Sequence, residues 1–263
     1  MSIETEMTQV TARFERIKAR PAYELVADEI ERQILAGALR PGDPIGTESE
    51  LVKQFGVNRS TVREGIRLLE QSGLVAREAS RRLSVSIPHY HGLATRMSRA
   101  LILQQVTFRE LYHTSRALEP AAVDQAMDNR TDADLAALDA NIAQTCEVQR
   151  DAPAVAALDA EFHKLIGQAA HNRVLLLAKE PSSMLVRPTT AHIISNNPGG
   201  IPRLIEAHTH IVDALRRRDR EKGRLWVDRH LRDWKAGFER SGRDLDSPVD
   251  AVTKWSPAAD EQY

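Results

Sequence analysis

The sequence predicts a mainly α protein, with three helices and a short β-hairpin first and an all-α antiparallel bundle of six or seven helices after them. Three observations predict it. Apolar residues recur at helical spacing through most of the 263 residues. Runs that read as strands occur only between Gly73 and Pro88. A low aromatic share, 5%, alongside many Ala, Leu and Arg favours helix over sheet.

Composition bounds the function classes. Hydrophobic residues at 42% with 28% charged describe a globular chain, long enough for two ordinary domains. A net charge of −1 excludes a chain that is basic throughout, so any nucleic-acid surface must be local. The lone Cys146 excludes an intramolecular disulfide and fits a reducing compartment. Glu4, Glu6, Arg13 and Arg16 break up the start of the chain, and no stretch approaches the roughly 18 apolar residues of a membrane span. A cytoplasmic protein is expected.

Residues 1–20 read as a polar arm. From Pro21, Val26, Ile30 and Ile34 recur at helical spacing and stop at Gly37, a natural residue just past a helix end. Arg40-Pro41-Gly42-Asp43-Pro44 is turn chemistry. Thr47 and Glu50 form a capping-box pattern for a short second helix ending at Gly56, and Asn58 caps a third through Val62, Ile66 and Leu69 to Gly73. Leu74–Arg77 and Leu83–Ile87 read as strands around a polar tip. Together these elements, over 21–88, make a winged helix-turn-helix, with Pro88-His89-Tyr90-His91-Gly92 as a hinge. Helices follow near 93–104, 108–129, 132–148, 153–170, 173–195, 201–218 and 220–240, the fifth expected to be kinked or interrupted by Pro181 and Pro188. This second domain spans 93–241, and the polar tail 242–263, with Pro248 and Pro257, is expected to be disordered.

In a helix-turn-helix the second of two crossed helices offers its N-terminal side chains to base edges. Here that helix opens with Asn58-Arg59-Ser60-Thr61-Val62-Arg63, and Arg59 and Arg63 share a face. Either arginine can grip guanine or clamp phosphate. Lys53, Arg59, Arg63, Arg67, Arg77, Arg81 and Arg82 outnumber Glu64, Glu70 and Glu78 across this region. The competing reading is a solvated helix face on which Glu64 and Glu70 neutralise Arg59 and Arg63.

The run Ile34-Leu35-Ala36-Gly37-Ala38-Leu39-Arg40-Pro41-Gly42, with Phe55-Gly56-Val57-Asn58-Arg59-Ser60-Thr61-Val62-Arg63-Glu64 and Leu69-Glu70-Gln71-Ser72-Gly73-Leu74-Val75, resembles the DNA-binding domain of the GntR regulators. The resemblance implies DNA contacts from Arg59, Ser60, Thr61 and Arg63, with the wing tip and its Arg81 approaching the minor groove. Three positions depart from the family pattern: Ser49 for a frequent arginine, Ser80 for a wing glycine, and Gly65 for an alanine inside the third helix. The last should cost about 1 kcal/mol of helix propensity.

Asp159 and His163 stand one turn apart on one helix face. Leu204, His208 and Val212 are successive turns of an apolar stripe, as are Trp226, His230 and Trp234, so both histidines point inward. A lone inward histidine is usually a satisfied core residue. Three with one carboxylate, on three helices, fit a metal centre better, and the donor set suits zinc, nickel, cobalt or manganese.

Leu111-Tyr112-His113-Thr114-Ser115-Arg116-Ala117-Leu118-Glu119-Pro120, Leu158-Asp159-Ala160-Glu161-Phe162-His163, Ala207-His208 and Asp228-Arg229-His230 resemble the helical effector domain of the FadR branch, called FCD. That resemblance implies Asp159, His163, His208 and His230 as metal ligands and Arg116 as a clamp for an effector carboxylate. Arg116 could instead pair with Glu119 within its helix. His171, His192, His210 and Arg187 are weaker pocket candidates.

The expected function is a homodimeric regulator that binds a two-fold operator and responds to a small organic acid at the metal. The alternatives are a metal-dependent enzyme with an attached DNA-binding module, and a repressor whose metal is purely structural. No nucleophile or acid–base constellation for an enzyme is identified.

Overall fold

The computed structural model describes residues 19–78, 82–88 and 90–249. Two compact units divide at His89 and Tyr90. In the first, α1 (Ala22–Leu35), α2 (Glu48–Phe55) and α3 (Arg59–Ser72) pack around Val26, Ile30, Leu51, Val62, Ile66 and Leu69. The caps are those the local sequence dictates: Thr47 and Glu50 bond reciprocally, the Asn58 side chain accepts from the Thr61 N–H, and Gly56 and Gly73 close their helices in the left-handed region.

Three short strands complete this unit: β1 (Pro44–Gly46), β2 (Val75–Arg77) and β3 (Leu83–Val85), antiparallel in the order β1-β3-β2. The β2–β3 hairpin matches the expected wing, and Val75 and Leu83 bury one face on the helices. β1 is an addition to the sequence reading, which saw only a turn there. It forms because β3 has a free edge, and Gly42 donates to the Val85 carbonyl while the Val85 N–H donates to Asp43.

The second unit is helical: α4 (Tyr90–Leu103), α5 (Phe108–Asn129), α6 (Asp132–Glu147), α7 (Ala152–Ala169), α8 (Arg173–Asn196), α9 (Ile201–Arg217) and α10 (Arg220–Arg240), with one 3-10 turn at Pro198–Gly200. Its largest core joins Val123, Met127, Leu138, Phe162, Ile166, Ile211 and Leu215. Short connections hold neighbours together. Pro181 and Pro188 both lie inside α8, so of the kink or interruption expected there the interruption does not occur. Among the described residues no helix is long and apolar enough to cross a membrane.

The tail also differs from expectation. Residues 242–249 are packed, with Leu245 and Val249 buried beside Phe108, Leu111 and Phe238. The first turn of α5 needs acceptors for its N–H groups. Leu245 and Ser247 supply carbonyls to Arg109 and Phe108 at 2.8 and 3.3 Å, and Arg109 grips Asp246 at 2.6 Å. A mostly polar, proline-bearing stretch hid these two apolar anchors. The N-terminal arm up to residue 18 and the remainder of the tail lie outside the described residues.

Candidate functional site

At the start of α3, Ser60 Oγ donates to the capping Asn58 Oδ1 at 2.7 Å, and Arg59 and Arg63 are exposed. The acidic residues thought to neutralise them are engaged elsewhere. Glu64 holds Arg67, and Glu70 binds Arg77 at 3.1 Å. Glu48, on α2, binds Arg77 at 3.0 Å and stands 3.8 Å from Arg59, whose side chain is 70% exposed. The helix therefore offers anions its N-terminal N–H groups and two outward guanidinium groups together. Thr61 is half-buried at the same turn, and Arg81 lies outside the described residues.

In the helical unit, α7, α9 and α10 bring four side chains to one point. One ligand atom from each of Asp159, His163, His208 and His230 lies within 4.8 Å of the others. Asp159 Oδ1 is 3.3 Å from His208 Nε2, 3.5 Å from His230 Nε2 and 3.9 Å from His163 Nε2, while the last two nitrogens approach to 3.0 Å. Buried polar atoms ordinarily find partners. Here Asp159 Oδ1 and both nitrogens of His208 make no hydrogen bond, the 3.3 Å separation being close but poorly directed. The unsatisfied Asp159 Oδ1 and the His208 Nε2 beside it are what a cation would satisfy, so the residues fit a divalent metal.

The electrostatics fit as well. Burial pushes His208 down to about 3, so its ring is neutral and able to ligate at neutral pH. Burial works to raise the Asp159 carboxyl, but His208, His230 and His163 outweigh it and hold the group well below its ordinary value. For His163, burial works downward while Glu119 and Asp159 raise it, and the net shift is upward. Glu119 is buried beside Lys179 and His163, which overcome its desolvation and bring it down to about 2. Phe162 lies flat on His208, with centroids 3.6 Å apart.

A cleft of about 560 Å³ opens onto Asp159, His163 and His230. Tyr112 and Ser115 of α5, Ser183, Val186, Arg187 and Thr190 of α8, and Leu231 and Trp234 of α10 line it. Arg116 does not. Its guanidinium pairs with Asp228 at 3.0 Å rather than with Glu119, and is 44% exposed. The cation in the cleft wall is Arg187. Of the weaker candidates, His171 pairs with Asp134 in the turn between α7 and α8, His210 stacks on Trp226, and His192 contacts Asn196. Sequence reasoning missed Lys179. It falls one turn after the buried Leu175 on α8, an apolar-stripe position of the same kind that exposed the histidines.

Two family models match the chain. "Bacterial regulatory proteins, gntR family" covers residues 22–85, and "FCD domain" covers 110–233. Among curated relatives, the transcriptional regulator LutR of Bacillus subtilis is 26% identical over 68% of this chain and 84% of its own length. The galactonate operon transcriptional repressor of Escherichia coli is 25% identical over 72% of this chain and 84% of its own length. Among solved structures, a GntR protein of Streptococcus agalactiae shares the fold, with a TM-score of 0.59 at 20% identity over 81% of this chain and 99% of that one. A winged reading head and a helical domain matching these two models make the chain a DNA-binding transcriptional regulator of the GntR family with an FCD domain.

Proposed function

We propose that the protein is a homodimeric, ligand-responsive regulator that senses a small organic acid at a divalent metal centre. The observation that carries this reading is the convergence of Asp159, His163, His208 and His230 beside an accessible cleft. These four would hold the ion, and the ion would supply a positive site for a carboxylate. Arg187, which lines the cleft where Arg116 does not, would receive the acid's remaining oxygens, because a guanidinium offers paired donors to a carboxylate. A cleft that reaches three of the four ligands favours sensing over a purely structural metal. The name of the galactonate operon repressor agrees with an acid as effector class.

On DNA, Arg59, Ser60, Thr61, Arg63 and Arg81 would supply the contacts, and two copies would match a two-fold operator. The acid changes DNA affinity only by binding one arrangement of the dimer better than another. Fluorescence anisotropy on the DNA upstream of the protein's own gene, screened against small organic acids with and without chelator, tests the reading. Specific binding that one acid shifts, only while metal is present, is the expected result. Arg59→Ala should abolish specific DNA binding with metal content unchanged, and His208→Ala should lose metal while retaining DNA binding. Unaltered metal content in His208→Ala removes that residue from the centre.

A further inference from the structure

We infer that Glu119 and Lys179 act as positioning residues for His163, fixing which ring nitrogen carries the proton and so how tightly the centre holds its ion; this rests on the metal reading above. Glu119 Oε2 lies 3.0 Å from His163 Nδ1. An ionised carboxylate only accepts, so Nδ1 must carry the hydrogen and the Nε2 lone pair faces Asp159 and His230. The same Oε2 receives Lys179 Nζ at 2.8 Å, and Lys179 also donates to the His163 backbone carbonyl at 3.2 Å. One ammonium thus ties down both the ring's partner and the backbone that carries the ring.

Burial argues for more than a helix-joining ion pair. Glu119 is 6% and Lys179 4% exposed, and a buried pair of this kind is commonly replaceable by apolar residues without loss of stability. Its contact with a ligand histidine gives it a role that apolar residues could not take, since partners beyond the ligands orient them and raise their basicity. There is a charge consequence too. Lys179 cancels Glu119, so Asp159 remains the one uncompensated carboxylate among these residues, and a bound divalent ion would leave the centre positive. That state favours an anionic ligand.

The test compares full-length wild type with a Glu119→Met, Lys179→Met double variant. Zinc affinity is measured in competition with a chromogenic chelator, and thermal melts of the metal-free proteins report the fold. The double variant should melt near the wild type yet bind zinc about 10–100-fold more weakly. Equal zinc affinity would overturn the inference and leave the pair as packing. A wild type that binds no zinc, nickel, cobalt or manganese would overturn both this inference and the metal reading, so the two failures are distinguishable. If the double variant does not fold, long-range proton–nitrogen NMR on the zinc-loaded wild type decides. It should show the His163 proton on Nδ1, and a proton on Nε2 would sink the inference.

Discussion

The imidazole of His208 lies flat on the ring of Phe162, with centroids 3.6 Å apart and planes 5° from parallel. His208 makes no hydrogen bond from either nitrogen, so this stacking is what holds its orientation. Phe162 is itself fully buried one residue before His163, and α7 therefore supplies both a neighbouring candidate ligand and the surface that aims the candidate ligand of α9. Phe162→Leu should cost about 1–3 kcal/mol of stability and, by freeing the His208 ring, weaken metal binding about tenfold. Chemical denaturation and a metal competition titration read the two effects separately. Unchanged metal affinity in a destabilised variant would show that His208 needs no such support.

The metal-free protein should lose stability as pH falls below neutral. His208 is depressed from 6.5 to about 3, so between those values the unfolded chain binds a proton that the folded chain refuses, and stability declines with pH. Glu119, lowered from 4.5 to about 2, adds a contribution present above 4.5 and lost as pH falls toward 2. Asp159 adds a similar loss below 3.8. His163 is shifted upward and opposes these: its contribution is full below 6.5 and fades as pH rises through the raised value. Urea midpoints at several pH values in EDTA measure the balance. His208→Leu should flatten the segment between pH 6.5 and 4.5, and a variant with the wild-type slope would refute the assignment.

Helices were legible because their signals are local. Thr47 with Glu50, and Asn58 before α3, announce starts, while Gly56 and Gly73 announce ends, within a few residues of chain. The convergence of Asp159, His163, His208 and His230 was legible for a related reason: an ionisable residue on an apolar stripe has one direction to face. Arg116 was not legible, because its partner Asp228 comes from α10 and no spacing within α5 reveals it. Likewise β1 has three residues, two of them Pro and Gly, and depends on the edge of β3 rather than on any pattern of its own.

The packed segment after α10 yields a prediction about stability. Leu245 is 2% exposed and Val249 fully buried, and both close the end of the core formed by Phe108, Leu185 and Phe238. Leu245→Ala should cost about 2–5 kcal/mol, the range for a buried leucine. Asp246→Ala should cost far less, because its pair with Arg109 is exposed on both sides. Thermal denaturation separates the cases, and equal effects would mean that the ion pair, not the apolar anchors, fastens the segment.

Gly65 offers the sharpest conflict between local propensity and packing. As a glycine inside α3 it sacrifices about 1 kcal/mol of helix propensity relative to alanine. Yet a Cβ at this position would stand 2.8 Å from the Tyr23 carbonyl oxygen and 3.1 Å from Val26 Cγ1. The obstacle is backbone of α1, which cannot rotate aside as a side chain could, so α1 and α3 would have to separate. Overpacking of this kind costs about 1–3 kcal/mol, enough to cancel the propensity gain and usually exceed it. Gly65→Ala should therefore be less stable by up to about 2 kcal/mol, the difference of those two effects. Because α3 also carries Arg59 and Arg63, specific DNA affinity should fall, while metal affinity, set in the other unit, stays constant. Denaturation together with anisotropy on operator DNA measures both. A stabilised Gly65→Ala protein would mean that helix propensity, and not the approach of α1, governs this position.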